Sequence, residues 1–130
     1  MMLSITGLYA APLALLILFL AYRVTKFRRK LLVGVGSGGD KELEGAIRAH
    51  ANAIEYVPIA LIIIAILEVN GSAEYFVHGL GATLLIGRIL HAQGLSSSIG
   101  KSFGRFWGTL LTWLVILIAS VSNLVLFVMN

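Results

Sequence analysis

The sequence predicts an all-α integral membrane protein, a four-helix bundle that fills residues 1–130 as a single domain. Three observations lead there. Hydrophobic residues make up 58% of the 130 residues and charged residues 12%, a balance far from that of soluble globular chains. Four apolar runs, Ile5–Tyr22, Ala46–Val69, Tyr75–Ala92 and Phe106–Met129, each approach or exceed the roughly 20 residues that a bilayer crossing needs. Hydrocarbon offers the backbone no water, so such runs are helices. The ten basic residues are also segregated. Arg23, Lys26, Arg28, Arg29, Lys30, Lys41 and Arg48 surround the first connection, and Arg88, Lys101 and Arg105 the third. The second connection and both termini have none. Basic residues mark the cytoplasmic side, so the first and third connections are expected in the cytoplasm, with both termini outside the inner membrane.

The first helix is plain, built from Leu, Ile and Ala with Tyr9, Pro12 and Phe19 and no interior charge. It reads as a retained span and not a cleavable signal, because no basic residue precedes it and no small-residue cleavage site follows. Its basic end, Arg23 to Lys30, reads as an anchor to anionic headgroups. The first connection contains Gly34-Val35-Gly36-Ser37-Gly38-Gly39, literally a G-x-G-x-x-G. That motif binds dinucleotides only between a strand and a crossover helix. Here a membrane helix precedes it, so it is expected to be a flexible loop. Asp40, Glu42 and Glu44 put negative charge at the start of the second helix, where the helix dipole favours it.

The second helix carries most of the chemistry. At about 100° per residue, Arg48, Asn52 and Glu55 share one face, with Tyr56 at its margin. Lipid rejects such a face, so it should look into a bundle or a polar cavity. Pro58 lies just past it, removes a backbone hydrogen bond and is expected to bend the helix. Glu68 and Glu74 are expected in solvent at the outer end, with His78 standing alone nearby. On the third helix Arg88 and His91 are i, i+3 neighbours level with Arg48. Residues Ser96 to Gly100 are expected to be loop. The fourth helix should begin near Phe103 with Arg105 just inside, and Lys101 reads as a headgroup anchor. Gly100, Gly104 and Gly108 repeat every four residues, which permits close backbone approach, and contacts beyond one subunit are the expected use.

Arg48, Asn52, Glu55, Tyr56, Arg88, His91 and Arg105 thus converge on one end of the bundle. A buried ion-pair network explains part of this, with Arg48 neutralising Glu55 and the rest snorkelling to the headgroups. Three arginines against one carboxylate leave surplus positive charge, which suits an anionic ligand, ideally one with carboxylates for bidentate guanidinium contacts. No metal is expected: cysteine is absent, and His50 lies about 200° round the helix from Arg48. The net charge of +4 is accounted for by membrane orientation and implies no nucleic-acid partner.

Arg48-Ala-His-Ala-Asn52-Ala-Ile-Glu55-Tyr56-Val-Pro58, with four spans and this length, resembles the membrane-associated proteins in eicosanoid and glutathione metabolism. These include the microsomal glutathione transferases. The likeness covers the whole chain, is strongest in helix two, and extends to Arg88-Ile-Leu-His91 and Arg105. The resemblance implies a homotrimer with glutathione as co-substrate, held between neighbouring subunits at the cytoplasmic side. It implies that Arg48, Asn52, Glu55 and Tyr56 bind glutathione, with Arg88 and His91 supporting the site and Arg105 facing the thiol. Where eicosanoid-making members carry tyrosines, this chain has Gln93-Gly94-Leu95-Ser96-Ser97, which argues against a leukotriene-type substrate.

The chemistry agrees with that resemblance. A thiolate, not a thiol, is the nucleophile, and a guanidinium in low dielectric favours it. The expected reaction is attack of glutathione thiolate on an apolar electrophile arriving from the bilayer, with peroxide reduction as a companion activity. A non-catalytic lipid-presenting protein of the same family is the alternative. A small multidrug exporter would need a carboxylate in helix one, which this chain lacks.

Overall fold

A computed structural model describes residues 2–97 and 102–129. It contains four helices, α1 Ser4–Leu31, α2 Lys41–Val69, α3 Glu74–Ser97 and α4 Phe103–Met129. With 24 to 29 residues each, they are about 36 to 44 Å long. α1, α2 and α4 are long and apolar enough to cross a membrane. α3 is long enough but less apolar, because glycines and the polar residues Arg88, His91 and Gln93 occupy much of it.

The bundle is not a square. α2 and α3 each pack against all three other helices, whereas α1 and α4 do not meet among the described residues. On α2 the buried positions Ala46, Ala49, Ala53, Val57, Ala60, Ile64 and Leu67 recur every three or four residues, the seam of a closely packed helix pair. They feed two apolar clusters. The larger joins Leu13, Val57, Ile64, Leu84 and Val115 from all four helices. The smaller, toward the basic end, joins Leu20, Ala49, Ala53, Ala92 and Leu95.

Several expectations are revised. α1 continues through its basic segment to Leu31. There Arg28 is no free headgroup anchor: its Nη1 donates to the carbonyls of Val33 and Gly36, at 3.3 and 2.8 Å. That contact ties the glycine loop to α1, and no strand flanks the loop among the described residues. Asp40 caps α2 by accepting from the Leu43 amide at 2.8 Å, as its position at a helix start favours. Ser96 and Ser97 belong to α3 and are not loop. Ser98, Ile99, Gly100 and Lys101 lie outside the described residues.

At the opposite end, Glu68 is half-buried and engaged, not merely solvated. Its carboxylate accepts from the amides of Ile5 and Thr6, at 2.9 and 2.7 Å, and from the Thr6 hydroxyl at 2.6 Å. A helix start has donors without intrahelical partners, and α1 obtains its acceptor from α2. Nor does His78 stand alone. Its Nδ1 is 3.0 Å from the Tyr9 hydroxyl and its ring meets Tyr9 edge-on at 5.7 Å. Glu68→Ala should lower bundle stability by about 1–2 kcal/mol, the range for losing a helix cap. Unfolding in a denaturing detergent titration, followed by circular dichroism, measures this; an unchanged midpoint would show the cap to be idle.

The glycines of α4 serve the subunit itself. A Cβ at Gly104 would stand 2.5 Å from the Leu90 carbonyl, and one at Gly108 2.5 Å from the Gly87 carbonyl and 2.6 Å from the His91 amide. On α3, a Cβ at Gly94 would strike the backbone of Arg105. The interface is therefore the α3–α4 seam, where small residues let two backbones approach. Asn123 adds a polar bolt by donating to the carbonyls of Ile63 on α2 and Ala119, at 3.0 and 2.9 Å.

Candidate functional site

Along α3, Arg88 and His91 fall between Leu84 of the larger apolar cluster and Ala92 of the smaller one. Both are buried, with 1% and 2% of their surface exposed. Arg88 Nη2 lies 3.4 Å from His91 Nδ1. Its Nε and Nη1 are buried without a hydrogen-bond partner. Charged donors left unpaired in a dry setting cost several kcal/mol, so this guanidinium is poised for an acceptor that the subunit itself does not supply.

The side chains nearest in charge come from the other helices. Glu55 and Tyr56 of α2 are within electrostatic reach of Arg88. Arg48 of α2 and Arg105 of α4 are within reach of His91. Six of the seven expected residues therefore gather where the spacing placed them. The seventh, Asn52, sits between Arg48 and Glu55 on α2, and its Oδ1 is likewise buried without a partner. Arg88 thus has unused donors and Asn52 an unused acceptor.

The α2 face does not turn wholly into the bundle. Asn52 and Tyr56 are half-buried at the edge of the packed seam. The Arg48 and Glu55 side chains are 57% and 51% exposed, with Nη1 and Oε1 4.0 Å apart. The expected buried ion pair is in fact a loose, open one, and such pairs contribute little stability. The site opens sideways, on the flank of the subunit, and not into its middle. α2 remains a continuous helix through Pro58.

Arg105 follows Gly104 within the glycine seam, and its side chain is exposed. Its amide is held by the Ser102 hydroxyl at 3.2 Å and its carbonyl accepts from Thr109 at 2.9 Å. It borders a groove of about 910 Å³ along the start of α4, shared with Phe103, Phe106, Trp107, Leu110 and Trp113. Trp107 meets Phe106 edge-on at 5.5 Å. Sequence reasoning finds Arg105 but not the aromatic wall beside it. The signal was there: Phe103, Phe106, Leu110 and Trp113 recur every three or four residues, and an apolar helix surrounded by lipid conceals such a stripe.

The profile of the MAPEG family matches residues 6–125. The chain belongs to the MAPEG family. Inner membrane protein YecN of Escherichia coli strain K12 is similar, 37% identical over 120 residues that cover 92% of this chain and 90% of YecN. YecN of Escherichia coli O6:H1 strain CFT073 is similar to the same extent. The family match spans every site residue named above.

Proposed function

We propose that this MAPEG protein is a membrane glutathione transferase, with Arg48, Asn52, Glu55, Tyr56, Arg88 and His91 binding glutathione and Arg105 stabilising its thiolate. One observation carries the reading: Arg88 is a fully buried cation with two unpaired nitrogens, within electrostatic reach of Glu55 and Tyr56 of α2, where Asn52 Oδ1 is also unpaired. Glutathione supplies two carboxylates for the arginines and amine and amide donors for Asn52 and Glu55. Its sulfur would lie toward Arg105, at the rim of the α4 groove. The groove's aromatic lining suits an apolar electrophile or lipid arriving from the bilayer. In the conjugation step the thiolate sulfur forms the new bond to an electrophilic carbon, and the leaving group departs with its electron pair. In the peroxidase variant the same thiolate would attack a peroxide oxygen, breaking the O–O bond and releasing an alkoxide that takes a proton from water. A second glutathione would convert the sulfenic acid to disulfide and water.

The sideways opening of the site supports assembly. A flank with Arg48 and Glu55 exposed cannot rest in lipid, so a second copy covers it, and a homotrimer closes all three flanks alike. The basic end would lie in the cytoplasm, where glutathione is abundant, and both termini on the far side of the inner membrane.

Calorimetry on protein in mild detergent tests binding, and turnover of a generic aryl halide with glutathione tests catalysis. Arg48→Ala or Glu55→Ala should weaken glutathione binding about ten- to a hundredfold, as loss of a charged hydrogen bond does. Unchanged affinity in a folded trimer would move the site elsewhere. Binding without turnover would favour the lipid-presenting alternative, which the apolar groove also suits.

A further inference from the structure

The arginine cluster contains one group that looks like its proton acceptor, His91. We propose that Arg88 locks His91 as a neutral imidazole with its proton on Nε2, so that His91 is a hydrogen-bond donor to the ligand and never a base. The argument is one of donors and acceptors. A guanidinium has five N–H donors and no acceptor. Arg88 Nη2 faces His91 Nδ1 at 3.4 Å, so Nδ1 must present its lone pair. An imidazole with a bare Nδ1 is neutral and carries its single proton on Nε2.

The surroundings hold that state. Arg88 on α3, Arg48 on α2 and Arg105 on α4 all bear on the ring, while Glu55 and Tyr56 of α2 bear on Arg88. Toward α1 the neighbouring cluster is apolar, built on Leu20 with Leu16 and Ile17 packed against it. A doubly protonated ring would place a fourth cation among three, out of water. The main chain is fixed as well. A Cβ at Gly108 would stand 2.6 Å from the His91 amide and 2.7 Å from its Cβ, so α4 clamps the residue while Arg88 sets which edge of the ring faces inward. Arg88 is then a positioning residue for His91.

The consequence deepens the glutathione reading, on which it rests only for the identity of the acceptor. The Nε2–H can donate to a carboxylate or to a thiolate, and it cannot take a thiol's proton. That proton leaves for water at the basic end of the bundle, and the electron pair stays on sulfur.

Imidazole-¹⁵N-labelled protein in detergent tests the tautomer without any ligand, by two-bond nitrogen–proton correlation from pH 5.5 to 8.5. His50→Gln and His78→Gln variants assign the three rings. The expected His91 signal has a bare Nδ1 and a protonated Nε2 throughout, and Arg88→Gln should return a mixed or titrating ring. A His91 with its proton on Nδ1, or one that becomes doubly protonated in this range, overturns the proposal. The second arm is glutathione affinity. His91→Gln keeps an N–H near the Nε2 position and should stay within about threefold of the native protein. His91→Phe loses the donor and should weaken binding about tenfold. Equal loss in both variants overturns the donor role. If the native protein binds no glutathione, the transferase reading fails while the nitrogen spectra still decide the tautomer.

Discussion

Gly108→Ala is expected to part α3 from α4 and destabilise the bundle by about 3 kcal/mol, the upper range for overpacking a well-fitted interface. The new methyl group would stand 2.5 Å from the Gly87 carbonyl and 2.6 Å from the His91 amide. Both are backbone atoms, which cannot swing aside as a flexible side chain would. The helices must separate, and His91 must move with α3, so glutathione affinity should fall with stability. Gly79→Ala is the matched control. No atom lies within 4 Å of a Cβ there, and replacing a helical glycine with alanine contributes up to about 1 kcal/mol of helix propensity. Detergent unfolding of the two variants should therefore move in opposite directions. If Gly108→Ala unfolds where the native chain does, the seam is looser than its geometry says.

Arg105→Ala is expected to leave glutathione binding nearly intact and to raise the pKa of the bound thiol by about one to three units, since an anion loses its counter-charge. The ultraviolet absorbance of the bound thiolate, titrated against pH, reads this directly, and turnover near neutral pH should fall in proportion to the thiolate lost. Arg105→Lys should recover part of both, because an ammonium keeps the charge without the planar fork. An unshifted titration in Arg105→Ala would transfer the role to Arg88.

Much of this protein was legible in its sequence for one reason: in a bilayer, a polar side chain must have a use. Four apolar runs gave four helices, and membership of the MAPEG family agrees with the helix-two pattern from Arg48 to Pro58. Helical spacing alone grouped Arg48, Asn52 and Glu55, and level placement added Arg88, His91 and Arg105. What escaped were relations between helices. Glu68 and Thr6 lie 62 residues apart, and nothing local in either segment announces that one caps the other. His78 looked solitary because Tyr9 is a whole helix away. The glycines of α4 showed that a close neighbour exists but not which one, since the period of four is the same for a partner helix in the same chain or in another. The outward tilt of Arg48 and Glu55 depended on how far the α2 seam rotates toward α3, a matter of a few tens of degrees that a wheel of residues does not resolve.

The borrowed cap on α1 also bears on how the protein is made. The amides of Ile5 and Thr6 are synthesised 62 to 63 residues before their acceptor, Glu68. Until then the leading end of α1 must keep its donors at the wet surface of the bilayer. A chain without residue 68 has no partner for them; only with α2 complete can the first amides of α1 find their acceptor. The cap therefore couples the settling of α1 to the completion of α2.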